Sequence, residues 1–310
     1  MQHLTHWDDV EPRRRAAGHL AGTWRDLGSA VGTRGVGVQR VEVDPGHWST
    51  PAHVEGASEE IFYVLAGTGL SWQDGAVYEI GAGDCLVHLP HREAHTLRAG
   101  PDGLTYLTYG HRASHGNTVL PRAGVAWMYP GFVGVTTIGE GRHPYNREAE
   151  VGEPEVGELS PRPASIANVR DVDPWVDEHN ESLIADRDLG GAVGSVRTGI
   201  SHVTIPARRM GYPPHCHSAE EELFIVLDGE GRLLLGEDEY ALRPGSVVGR
   251  PPGSRIAHAF RAGATDFVYL AYGTREPNDI VYYPRSGKVS LRGVGVMGRI
   301  KPLGYWDGEP

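Results

Sequence analysis

Four residues in the second half of the chain have the types and spacing to do chemistry. In HCHSAEEELFIVLDG (215–229), His215 and His217 stand two residues apart and Glu222 follows five residues later; His258 comes after the turn Pro251-Pro252-Gly253. In an extended strand, residues i and i+2 leave the same face, so the two imidazoles point one way and Cys216 the other. Glu222 opens an apolar strand, where a carboxylate is costly unless a cation or donor meets it. Three imidazoles and one carboxylate converging inside a sheet form a donor set for a first-row transition metal, with one or two positions left for water or substrate.

The same sentence occurs earlier. HVEGASEEIFYVLAG (53–67) agrees with 215–229 at eight of fifteen positions, and His53, Glu60 and His95 align with His215, Glu222 and His258. Where the second half has His217, the first has Glu55. The offset is 162 for RDLGSAVG (25–32) with RDLGGAVG (187–194), and 163 for HTLRAG (95–100) with HAFRAG (258–263). One nearly constant offset over so long a stretch marks an internal duplication. Glu55 is read as a fourth ligand, giving a harder site of two imidazoles and two carboxylates. The alternative is a decayed site in which Glu55 pairs with an arginine, Arg92 being the candidate.

The elements that must position these residues are strands. Hydrophobic periodicity is two, or runs short, with turn signals such as Gly67-Thr68-Gly69 and Gly229-Glu230-Gly231 between strands. Short helices are expected only near 12–21 and 174–186. Residues 1–125 and 166–310 are read as two domains. The proline-rich acidic stretch within 126–165 is read as a linker or surface arm, and Tyr305-Trp306 as a tail that docks on a barrel or a neighbouring subunit. On the ligand-bearing faces, Phe62, Val64 and Leu97 in the first half and Phe224, Val226 and Phe260 in the second are expected to line the cavities. Such apolar linings suit a small, partly hydrophobic molecule. Arg208, Arg209 and Arg250 are available to an anionic substrate, and His88 is a further candidate for the first cavity.

Composition bounds the rest. The 310 residues are 39% hydrophobic and 22% charged, with 43 glycines and 22 prolines, which favours strands and turns. A net charge of −11 without a basic run argues against nucleic-acid or anionic-membrane partners. The start, MQHLTHWDDVEPRRR, is polar and no stretch of eighteen apolar residues occurs, so neither a leader nor a span is expected; two cysteines, Cys85 and Cys216, do not make a disulfide framework. A cytoplasmic protein is expected.

His215, His217, Glu222 and Gly229, with Gly245, Pro251, Gly253 and His258, resemble the two motifs of the cupin family, and the resemblance covers both halves. The leading glycine is displaced to Gly211, His258 falls two residues later than the motif asks, and Ala262 stands where the motif has asparagine. The resemblance implies an all-β fold of two tandem cupin-type antiparallel β-barrels (jelly rolls) with few short helices. It implies a divalent transition metal, one per barrel: iron, manganese or zinc, with nickel or copper as further options. It implies a small-molecule substrate and admits a homodimer. Among the activities such bicupins carry, a non-haem oxygenase or dioxygenase is the leading expectation. A manganese-dependent hydrolase or isomerase, similar to ureidoglycine aminohydrolase or the sugar-acid cupins, is the alternative. A non-catalytic metal or small-molecule binder is the third. The apolar cavities and short chain argue against an oxalate decarboxylase-like enzyme.

Overall fold

Strands with one apolar face close into barrels because closure buries that face and removes the unpaired edges. The computed structural model describes residues 3–113, 116–129, 133–135 and 143–309. In the first barrel an eight-stranded antiparallel sheet is built around Glu60–Gln73, which pairs with Asp84–His88 on one side and His95–His111 on the other. In the second, Glu222–Asp228 holds the same place between Ser246–Arg250 and Phe267–Thr274. A smaller sheet carries the short strand Val54–Glu55, and its counterpart carries Cys216–His217. The ligand strands of the repeat thus occupy equivalent places in two all-β barrels.

Each barrel has its own apolar centre. Trp24, Val41, Phe62, Val64, Leu97 and Tyr106 belong to the first, and Ile184, Val203, Phe224, Val226, Phe260 and Tyr269 to the second. A third cluster joins the halves: Val38, Ile61, Leu107 and Tyr109 pack with Ile200, Leu223, Leu270 and Tyr272. Tyr109 and Tyr272, equivalent in the repeat, meet with ring centroids 4.6 Å apart.

Two reciprocal devices hold the halves together. Leu4–His6, from the start of the chain, pairs with Ser246–Arg250 of the second barrel, while Ile166–Asn168 pairs with Asp84–His88 of the first. Each barrel therefore has one edge covered by a strand from the start of the other half. In addition, Glu59 enters the loop after Val193 and accepts hydrogen bonds from Ser195 Oγ (2.6 Å), Thr198 Oγ1 (2.5 Å) and Val196 N (2.8 Å). Glu221, its repeat partner, accepts from Gly35 N (2.6 Å), Val36 N (2.7 Å) and Arg34 N (2.9 Å). Both glutamates are buried, and hydrogen bonding satisfies their carboxylates.

Three local expectations are corrected. Residues 12–21 and 174–186 are hairpins rather than helices, Arg13–Ala17 with Leu20–Asp26 and Trp175–His179 with Ser182–Asp188. Their turns use Gly18 (φ 56°) and Asn180 (φ 52°), residues that tolerate the left-handed region. The short helices follow instead, at Leu27–Ala30 and Leu189–Val193, capped by the side chains of Asp26 and Asp188. The tail does not dock on either barrel of its own chain: Tyr305 is 88% exposed and Trp306 72%.

The arm between the halves lies against the first barrel. Helix Pro144–Val151 buries Tyr145, and beyond it Trp48 Nε1 donates to Glu153 and Trp72 Nε1 to the Glu155 carbonyl. Among the described residues no helix is long and apolar enough to cross a membrane.

Candidate metal centre

The second barrel brings all four of its expected ligands together. His215 comes from the loop before Cys216–His217, its backbone bridged to His258, and Glu222 begins the central strand. The donor atoms of His215, His217 and Glu222 lie within 4.8 Å of one another. His258 completes the set, with Nε2 3.3 Å from Glu222 Oε2 and its ring centroid 4.6 Å from that of His215.

The outward nitrogens of two of these rings are already committed. His215 Nδ1 bonds the Pro213 carbonyl at 2.7 Å, and His217 Nδ1 bonds Asp279 Oδ2 at 2.7 Å. Such partners fix tautomer and orientation and leave Nε2 free to coordinate. Burial pushes His215 down to about 4 and His258 well below its ordinary value, so both rings are neutral, the form that binds a metal. Burial also raises Glu222 above the usual carboxylate range. His217 Nε2 and Glu222 Oε2 are buried without a hydrogen-bond partner among the described residues. Orphaned buried donors facing one another at 3.6 Å fit a shared divalent cation.

The first barrel gathers three of its four. His53 Nε2 and His95 Nε2 lie 3.3 and 3.1 Å from Glu60 Oε2. Here the groups satisfy one another. Burial, which would lower His53, is outweighed by Glu60 and Glu55, and the ring is pushed up to about 9. Burial and the neighbouring His88 and His53 instead press His95 down to about 3. Glu55 is not one of the gathered donors; its Oε1 accepts from Thr118 Oγ1 at 2.6 Å, across the strand pair. Among the described residues no ion pair joins Glu55 to Arg92, the partner named for it above. His88 stacks flat on His95, with centroids 3.7 Å apart, and bonds Glu93 Oε1 through Nδ1.

A cavity of about 370 Å³ opens onto the second site. Phe224 and Phe260 line it as expected, whereas Val226 lies deeper, in the barrel core. Val226 is four residues beyond Glu222 on a twisting strand, too far along it to reach the mouth. Tyr212, Tyr269 and Tyr283 join the lining. In the first barrel Phe62 packs edge-on against His88 and His95, while Val64 and Leu97 belong to the core. Of the arginines, Arg250 is buried beside Glu222 and donates to the Ile256 carbonyl, and Arg209 pairs with Glu178.

Sequence reasoning missed the groups behind the ligands. Asp279 is fully buried and also accepts from Ala219 N at 2.9 Å, so one carboxylate orients His217 and shapes its loop. The signal was there in the repeat: the offset of 163 puts Gly116 opposite Asp279 and Thr118 opposite Val281. The exchange of His217 for Glu55 thus goes with loss of the aspartate that supports the histidine.

The family description "Cupin domain" matches residues 39–106 and 201–271. No curated protein matches the chain in sequence. Among solved structures, the fold is similar to oxalate decarboxylase of Lactobacillus farciminis in complex with formate, at 16% identity and a TM-score of 0.60, over 89% of this chain and 86% of that one. It is similar to a Bacillus subtilis oxalate decarboxylase, described for its Mn(II) centres, at 16% identity and a TM-score of 0.60, over 90% of this chain and 78% of that one. At that identity the likeness is one of fold. With two matched domains in register with its own repeat, and two barrels that exchange strands and share a core, the chain is a bicupin.

Proposed function

We propose that this bicupin is a metal-dependent enzyme acting on a small organic molecule at the second barrel, and specifically a non-haem oxygenase. The observation that carries the reading is the set of His215, His217, Glu222 and His258, with orphaned buried donors, at the floor of an aromatic-lined cavity. These four residues would hold a divalent transition ion. When bound, that ion supplies a Lewis acid and a place for substrate and a second small ligand to meet. One carboxylate against a divalent ion leaves one positive charge, which favours an anionic oxygen donor such as an enolate, phenolate or carboxylate. Phe224 and Phe260 give an apolar body somewhere to lie and keep bulk water from it. Asp279 keeps His217 aimed at the centre. The first barrel is the weaker site, because its three gathered groups already satisfy one another.

Protein purified anaerobically tests this. One tightly held equivalent of iron and O₂ uptake on adding phenols or diketones are the expected results. His217→Ala is expected to remove both, and Glu55→Ala to leave the second-barrel metal in place. Manganese without O₂ uptake would favour the hydrolase or isomerase alternative. Failure to bind any divalent ion, with His217→Ala changing nothing, would sink the metal-centre reading.

A further inference from the structure

The second cavity contains a carboxylate that the metal site does not use. Asp186 lies on strand Ser182–Asp188, two residues from Ile184, whose side chain is in the barrel core. Period-two alternation puts both on the inner face. The repeat has Trp24 at this position, packed in the core of the first barrel, and Thr50 where the second has Tyr212. Asp186 is half-buried, and the only side-chain hydrogen bond it makes among the described residues is from Tyr212 Oη to Oδ2, at 2.6 Å. That bond fixes the carboxylate and occupies one of its oxygens. Burial and the bond to Asp186 raise Tyr212 well above the ordinary phenol value, so it serves as a donor to Asp186 and not as a base.

Asp186 lines the same 370 Å³ cavity as the four ligands. A second hollow, of about 480 Å³, shares Asp186, Ser201, Glu220 and Arg292 with it, so the carboxylate stands where the inner chamber meets the outer one. The other charged groups at this junction, Glu220 and Arg292, compensate each other. Among the described residues no cation lies within ion-pair distance of Asp186.

We infer that Asp186, held by Tyr212, is a specificity-determining residue that receives a protonated amine of the substrate. The occupant of the cavity is then a zwitterion, with an anionic oxygen donor toward His215, His217, Glu222 and His258, an apolar body along Phe224 and Phe260, and an ammonium at Asp186. The inference rests on the metal-centre reading for the anionic end alone. The ammonium end stands on Asp186 and can be measured without metal.

Two probe sets separate these ends. In metal-loaded protein, ω-amino carboxylates from glycine to 6-aminohexanoate are titrated by calorimetry against n-alkyl carboxylates of matched length, with 4-(aminomethyl)benzoate against 4-methylbenzoate. In metal-free protein, n-alkylammonium ions are titrated against n-alkanols of matched length. A charge-assisted hydrogen bond is expected to favour at least one amine over its uncharged twin by about tenfold in each set. Asp186→Asn keeps the shape and an acceptor for Tyr212, and is expected to reduce that preference to about twofold or less while leaving the alkyl carboxylates unaffected. Absence of any amine preference in the wild-type protein, or a preference that survives Asp186→Asn, would overturn the inference. Loss of carboxylate binding with the ammonium preference intact would overturn the metal-centre reading and leave this one standing.

Discussion

At the scale of single residues, the two four-residue donor sets differ by one exchange and its support. His217 has Asp279 behind it, while Glu55 leans on Thr118, with Gly116 in the place of the aspartate. Removal of Asp279 by Asp279→Ala is expected to weaken metal binding at the second barrel by about 10- to 100-fold, because His217 loses the partner that fixes its tautomer. Metal titration with a competing chelator reads this directly; Asp279→Asn should recover part of the loss, and equal affinity in all three proteins would show that His217 is oriented by something else. The four residues that meet in the second barrel were legible because i, i+2 spacing and a following turn confine them to one face. Asp279 showed only as a difference between the halves, with Gly116 opposite it; that it meets His217, 62 residues away, is decided by the sheet.

At the scale of elements, the turns were legible and the hairpins at 12–21 and 174–186 were not. Gly67 and Gly229 adopt φ values of 82° and 74°, and a Cβ at either would overlap the carbonyl oxygen of Gly103 or Asp266, so the sequence spells these turns with the one residue that fits. The hairpins carry mixed polar stretches in which two short strands and a helix look alike, and pairing with the neighbouring strand decides between them. Helix Pro144–Val151 offers a test of pH dependence. Glu148 is buried, with Arg122 Nε 3.3 Å from its carboxylate, and burial raises it above the ordinary 4.5. The folded chain therefore holds this proton to higher pH than the unfolded chain does. Between the two values it binds more protons, and its stability falls as pH rises upward from 4.5 through the folded value. Glu148→Gln is expected to flatten that part of the profile. Thermal unfolding midpoints measured across the window check it, and an unchanged slope would show that Glu148 does not titrate there.

At the scale of the whole molecule, the halves are packed as one body. They exchange edge strands, share the cluster around Tyr109 and Tyr272, and each inserts a glutamate into the other's loop. Glu221→Ala leaves the amides of Arg34, Gly35 and Val36 facing an emptied space and is expected to destabilise the fold by about 3 kcal/mol, at the rate of 1–3 kcal/mol for a buried unsatisfied group. Equilibrium denaturation should show a single transition shifted to lower denaturant. Two separated transitions would show that the barrels unfold independently and that the clamp does not couple them.

By itself the sequence determined the duplication, the all-β architecture, the two ligand strands and the four-residue donor set of the second barrel. Each of these is written in local spacing: a repeat offset, a period of two, a glycine where only glycine turns. Tertiary structure decided which donors meet and what stands behind them. It turned Glu55 toward Thr118, put Asp279 against His217, set Val226 below the cavity floor, and aimed Asp186 into the chamber where the first barrel has a tryptophan. The physical reason is that strand alternation is a local property, while the partner a side chain finds depends on sheet register between segments far apart in the chain.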